Sequence, residues 1–223
     1  TDLDELTEIQ ALITTVNTEQ AAIAAAIVAS DAAITAVSTA AANSNASLLT
    51  LAELNAIIDL NDEVAVNLAA YQTAIAAVSN ATDLDELAEI QNLITAVNEA
   101  QTVIADSNAA ITVVSTAATG DTSTVTADVL NAIIGLTDVD AANLTAYQTA
   151  IAAVSNATDL DELTEIQDLI TAVNTEQAAI AAANAVSDTA IATVAAAANS
   201  DASGIDMTVL GNILSLNDVD AAN

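Results

Sequence analysis

The sequence predicts an all-α chain of tandem helical bundles in a linear array, each repeat supplying a long, a short and a medium helix. Three observations lead there. Blocks of residues recur in a fixed order, apolar residues within a copy recur at steps of three and four, and one matched segment differs between copies by four residues. Self-similarity at a long period is the mark of repeat architectures, in which each unit buries its apolar face on its neighbours.

Residues 1–10, Thr-Asp-Leu-Asp-Glu-Leu-Thr-Glu-Ile-Gln, return with one change as 82–91 and unchanged as 158–167, at offsets of 81 and 76. Residues 54–58, Leu-Asn-Ala-Ile-Ile, return as 130–134 and more loosely as 210–214. Residues 70–80 return unchanged as 146–156. The repeats are therefore read as 1–81, 82–157 and 158–223. Asn223 matches Asn143, so the third copy is expected to lack its last helix.

The long helix follows from the length difference. From Asn17 to Ile34, and from Asn174 to Ile191, is 17 residues, whereas Asn98 to Ile111 is 13. Four residues are about one α-helical turn, a change that moves an apolar face by only ~40°. In the second copy Leu87, Ile90, Ile94, Val97, Gln101, Ile104, Asn108 and Ile111 form a heptad-like stripe. Gln101 and Asn108 are the polar members, expected to fix register within a core. Thr82 or Asp83 is expected to cap this helix, with Asp85 and Glu86 in its first turn and its end near Gly120 to Ser123.

A short helix is expected over residues 127–136. Thr137 then caps a medium helix, with Asp138 and Asp140 in its first turn and Leu144, Tyr147, Ile151 and Val154 along its stripe. At ~1.5 Å per residue, the short and medium helices together match the long one. Three-helix bundles joined end to end, or helical hairpins stacked side by side, both satisfy that match.

The charge is one-signed. Among 223 residues are 31 Asp or Glu and no Lys, Arg, His, Cys, Pro, Phe or Trp, for a formal charge of −31. With no side-chain cation to meet phosphates, nucleic acid is excluded as a partner. Side-chain salt bridges are excluded too, so each carboxylate is solvated, hydrogen-bonded, set at a helix N-terminus or bound to a metal ion. Hydrophobic residues make up 54% of the chain, mostly Ala, and aromatics 1%, so a folded chain with thin Leu/Ile/Val/Ala cores is expected. The most apolar stretch, residues 21–29, is shorter than the ~20 residues a bilayer requires, and no membrane span is expected.

Catalysis needs a tuned acid, base or nucleophile, with an electrophile or metal beside it. Without His, Cys, Lys or Arg, and with carboxylates clustered at helix starts, the chain is read as no enzyme. Hard cations prefer oxygen ligands, so Ca²⁺ is the one cofactor worth weighing. Its weak candidates are the Asp-x-Asp pairs Asp83/Asp85, Asp138/Asp140 and Asp159/Asp161, with Asp2/Asp4 and Asp218/Asp220 of the same pattern. Helix capping explains them more simply. Residues 199–204, Asn-Ser-Asp-Ala-Ser-Gly, resemble the first half of an EF-hand loop, but Leu210 occupies the place of the bidentate Glu. Asn45, Asn80, Asn143 and Asn156 open Asn-x-Ser/Thr sequons at about chance frequency. Tyr71 and Tyr147 fall on the apolar stripe as core anchors.

Tandem Leu-Asn-Ala-Ile-Ile, Asp-Ala-Ala-Asn-Leu-Thr-Ala-Tyr-Gln and Asn-Ala-Thr-Asp-Leu-Asp-Glu-Leu blocks resemble the repeat regions of giant secreted bacterial surface proteins. These are long adhesins and filament-forming proteins whose acidic repeats act as extenders. Most such extenders are β-sandwiches, from which a helical chain departs. The resemblance implies an extracellular location at the bacterial surface. It also implies a structural role supporting adhesion, with neighbouring repeats as partners and self-assembly into filaments. The competing expectation is a helical binding module for Ca²⁺ or for a host or neighbour protein.

Overall fold

A computed structural model describes residues 6–78, 80–198 and 202–216. Among them all regular structure is helical. The α-helices are α1 (Leu6–Ala42), α2 (Leu51–Leu54), α3 (Leu68–Ala77), α4 (Leu87–Ala117), α5 (Ala127–Asn131), α6 (Leu144–Ala153), α7 (Leu163–Ala197) and α8 (Met207–Gly211). Short 3₁₀ turns join them. Ala-rich composition without Pro lets α1, α4 and α7 run 37, 31 and 35 residues.

The chain forms two compact units, Thr1–Ile104 and Ala105–Asn223, divided within α4. In the first, the second half of α1, the single turn α2, the helix α3 and the first half of α4 enclose one core. Val37, Leu54, Ile57, Tyr71, Ile75, Leu84, Ile90 and Ile94 fill it. In the second, the latter half of α4, with α5, α6 and the first half of α7, encloses Val114, Leu130, Ile133, Tyr147, Ile151, Leu160, Ile166 and Ile170. From the leucine at 54 or 130 onward, the two sets match residue for residue at an offset of 76. Tyr71 and Tyr147, fully buried, are the largest side chains in cores that contain no other aromatic.

Several local expectations are corrected. The long-helix stripe holds at its start and its last member: Ile90 and Ile94 are buried, Leu87 and Val97 half-buried, and Ile111 packs half-buried on the second core, but Ile104 and Asn108 are exposed and Gln101 half-buried. The second buried face of α4 is Ser107, Ala110, Val114 and Ala117. It lies one residue out of phase with the expected stripe, because the two halves of α4 pack in different cores. Neither Gln101 nor Asn108 fixes a core register; the buried polar residue is Ser107.

The helix starts also differ. α4 begins at Leu87, so Asp85 and Glu86 precede it, and Thr82 and Asp83 belong to a 3₁₀ turn capped by Asn80. The short helix ends at Asn131 instead of residue 136: turn bonds from Ile133 N–H to Leu130 and from Leu136 N–H to Ile133 replace it, and Gly135 takes a φ of 85° that no α-helix accommodates. Thr137 does not cap the medium helix, and Asp138, at φ 61°, is in the left-handed region and outside any first turn. Asp140 caps the 3₁₀ turn Ala141–Asn143, and α6 starts only at Leu144. α4 ends at Ala117, three residues short of Gly120.

Candidate functional site

A chain without side-chain cations must tie its helices together with neutral groups, and one polar cluster does this twice. In the second unit the Tyr147 ring is buried, and its hydroxyl reaches Asn174 on α7. The hydroxyl donates to Asn174 Oδ1 at 2.5 Å and accepts the backbone N–H of Asp140 at 3.0 Å. Asn143 Nδ2 donates to the same Oδ1 at 2.9 Å, and Asn174 Nδ2 donates to the Asp138 carbonyl at 2.7 Å. The amide of Asn174 thereby holds residues 138–147, the loop and the first turn of α6, against α7. In the first unit Tyr71, Asn98, Asn67, Val64 and Asp62 repeat the arrangement, with Tyr71 to Asn98 also 2.5 Å.

Four glutamines and three serines extend the pattern. Gln167 Oε1 accepts the Thr137 N–H at 2.8 Å while its Nε2 donates to the Thr137 carbonyl at 3.3 Å. Gln91 grips Asn61 in the same two-point way at 2.9 and 3.1 Å. Gln148 Nε2 donates to the Val125 carbonyl, as Gln72 does to Leu49. The buried Ser107 hydroxyl accepts the Ile134 N–H at 2.9 Å, Ser30 accepts that of Ile58 at 2.9 Å, and Ser187 that of Leu214 at 3.0 Å. Among the described residues no buried side-chain N or O lacks a partner. Sequence reasoning missed these residues. Their signal was available, because each Asn and Gln recurs at an offset of 76.

The expected acidic candidates are not brought together. Asp83 accepts from Asn80 Nδ2 at 3.2 Å, and Asp159 from Asn156 Nδ2 at 3.4 Å. The Asp85 and Asp161 backbone N–H groups donate to Glu89 and Glu165 at 3.0 and 3.1 Å. Asp138 accepts from the Thr137 hydroxyl at 3.1 Å, and Asp140 from the Ala142 N–H at 2.9 Å. Among the described residues no three acidic side chains gather as a metal site would require. Asp138 and Asp140 do share one open groove with Asn143, Asn174 and Gln177. The Asn174 amide in its lining is already committed to the loop. Asp2, Asp4, Asp218, Asp220 and the core of the EF-hand-like stretch (199–201) lie outside the described residues.

No family model, characterised protein or solved structure matches the chain. Its residues alone carry the functional reading.

The four sequon asparagines all have local roles. Asn45 accepts from the Ser47 N–H and hydroxyl, Asn80 and Asn156 cap 3₁₀ turns, and Asn143 donates to Asn174. Among the described residues Asp121 has a shifted affinity for protons. The Ser123 hydroxyl, and after it the Ser123 backbone N–H at 2.9 Å, hold Asp121 below its ordinary value. The helices α1 and α7 are each long and apolar enough, by length and composition, to cross a membrane. That is weak support for a span, since Asp31 and Asp188 interrupt them.

Proposed function

We propose that this chain is a non-catalytic extender or filament subunit of a bacterial extracellular surface protein. Its tandem helical bundles, one per repeat of about 76 to 81 residues, stack in a linear array and hold an adhesive or anchoring domain away from the cell. Its partners are neighbouring repeats, in the same chain or in an assembled filament.

The observation that carries this reading is the duplication, in two successive units, of the Tyr–Asn clamp and of the core from Leu54 or Leu130 onward. A catalyst or receptor elaborates one site; here the buried polar groups are spent on holding each module closed. The uniform negative charge fits a surface molecule that must repel its neighbours and stay soluble in salt. α1 and α7 face water in this reading, because an Asp at the centre of a bilayer costs about 3 kcal/mol or more.

The test is an antibody raised against residues 82–157 and applied to intact cells of the source organism. Labelling without permeabilisation, abolished by proteinase K, is expected. Labelling that requires permeabilisation overturns the extracellular assignment.

A further inference from the structure

A segment of α1 repeats a face that is covered elsewhere in the same chain. Residues 6–17, 87–98 and 163–174 share Leu, Glu, Ile, Gln, Leu, Ile, Thr, Val and Asn at nine common positions. In the two later segments the face is closed: Ile90 and Ile94 are 0% exposed, and Ile166 and Ile170 are 1% and 0%. In α1 the matching Ile9 and Ile13 are 41% and 47% exposed, with Leu6 and Val16 exposed beside them. Gln10 and Asn17, which match the loop-gripping Gln167 and Asn174, are exposed as well.

We propose that residues 6–17 are the docking face for a further copy of the repeat module, one presenting a helix like α6 and carried ahead of Thr1 on the same polypeptide. The inference rests on the extender reading only in assuming that modules follow one another in series. What covers the face is dictated by what covers its two equivalents. Leu163 to Asn174 receives Tyr147 and Ile151 from α6 and the backbone of Thr137 and Asp138 from the loop before it. A bilayer would leave Gln10 and Asn17 without the backbone groups their counterparts bind. A second molecule of this sequence has no free module to offer around Tyr71 or Tyr147, since Asn98 and Asn174 already occupy both. Tethering is also favourable, because a module joined at Thr1 as Ala157 is joined to Thr158 acts at high effective concentration.

The test extends the full chain by placing residues 105–157 of its own sequence ahead of Thr1. Amide hydrogen exchange is then followed over residues 6–17, with 163–174 as the internal standard. In the extended protein, protection over 6–17 is expected to rise roughly tenfold or more, toward that of 163–174. Asn17→Ala, neutral in the unextended chain, should then lower protection there as Asn174→Ala does in its own segment. Unchanged protection over 6–17, with 163–174 still protected, overturns the proposal and leaves the surface location of the extender untouched. Protection that appears in the unextended chain at higher protein concentration assigns the face to a second copy. Protection by added phosphatidylcholine vesicles assigns it to a membrane. Either of those outcomes also overturns the proposal.

Discussion

The hydroxyl of Tyr147 donates to Oδ1 of Asn174 across 2.5 Å while accepting the N–H of Asp140. Asn174 Oδ1 takes a second bond from Asn143, and its Nδ2 holds the Asp138 carbonyl. One neutral amide therefore ties the α6 core anchor and the loop before it to α7, where another protein would use an Arg or Lys.

Removing that amide should cost more than a single hydrogen bond. Asn174→Ala leaves a buried phenol and a backbone carbonyl to find other partners, and is expected to destabilise by ~2–3 kcal/mol. Tyr147→Phe should cost ~1–2 kcal/mol, and the double variant less than the sum, because both deletions break the same bond. Urea melts of the three variants check this. Strict additivity, or a loss under ~0.5 kcal/mol for Asn174→Ala, would show that the clamp contributes little.

The buried Ser107 should behave in a similar way on a smaller scale. Ser107→Ala strands the Ile134 N–H and is expected to cost ~1–2 kcal/mol. Amide exchange at Ile134 should speed up in this variant, and an unaltered rate would mean that another acceptor replaces the hydroxyl.

Position 59 and position 135 stand 76 residues apart and share a left-handed backbone, Asp59 at φ 65° and Gly135 at φ 85°. Asp59→Gly is expected to stabilise by ~0.5–1 kcal/mol, since glycine adopts that conformation without steric cost. Gly135→Ala should destabilise by ~1–2 kcal/mol, because an added Cβ would also lie 3.0 Å from Leu163 Cδ2. Equal and opposite shifts are not required; two shifts of the same sign would contradict the reading of this turn.

A polyanion without side-chain ion pairs should respond to salt and acid in its own way. Melting temperature is expected to rise with NaCl, and more steeply with Mg²⁺ or Ca²⁺, as self-repulsion is screened. Most proteins lose stability in mild acid because paired carboxylates must be protonated. Here acidification from pH 7 to about 4.5 should raise the melting temperature, as charge is removed without breaking any side-chain ion pair. Asp121 opposes this at lower pH. Its depressed folded value contributes stability above its ordinary 3.8, and that contribution is lost as pH falls through the folded value. Melts from pH 3 to 8 test the sign, and a monotonic fall below pH 7 would refute it.

The helical class was legible because Leu87, Ile90, Ile94 and Val97 step by three and four. Periodicity could not show that α4 changes partners midway. The stripe continues smoothly on paper through Gln101, Ile104 and Asn108, while the real second face starts at Ser107. A pattern of apolar residues records that a helix is covered and is silent about what covers it. The Tyr–Asn clamp was missed for a related reason. Asn174 and Gln167 are amides on a helix, and nothing in their type marks a structural bond until the loop carbonyls are brought beside them. Asp138 deceived for the opposite reason: an Asp two residues before another Asp looks like a first turn, but here it takes the left-handed bend that delays α6 to Leu144.

The extender reading is tested most directly by small-angle X-ray scattering from proteins carrying three, five and seven tandem copies of residues 82–157. A linear array lengthens by the same increment with each added copy, so the maximum dimension should rise in direct proportion to copy number. A radius of gyration that grows only as about the 0.38 power of chain length, the scaling of a compact domain, would contradict it.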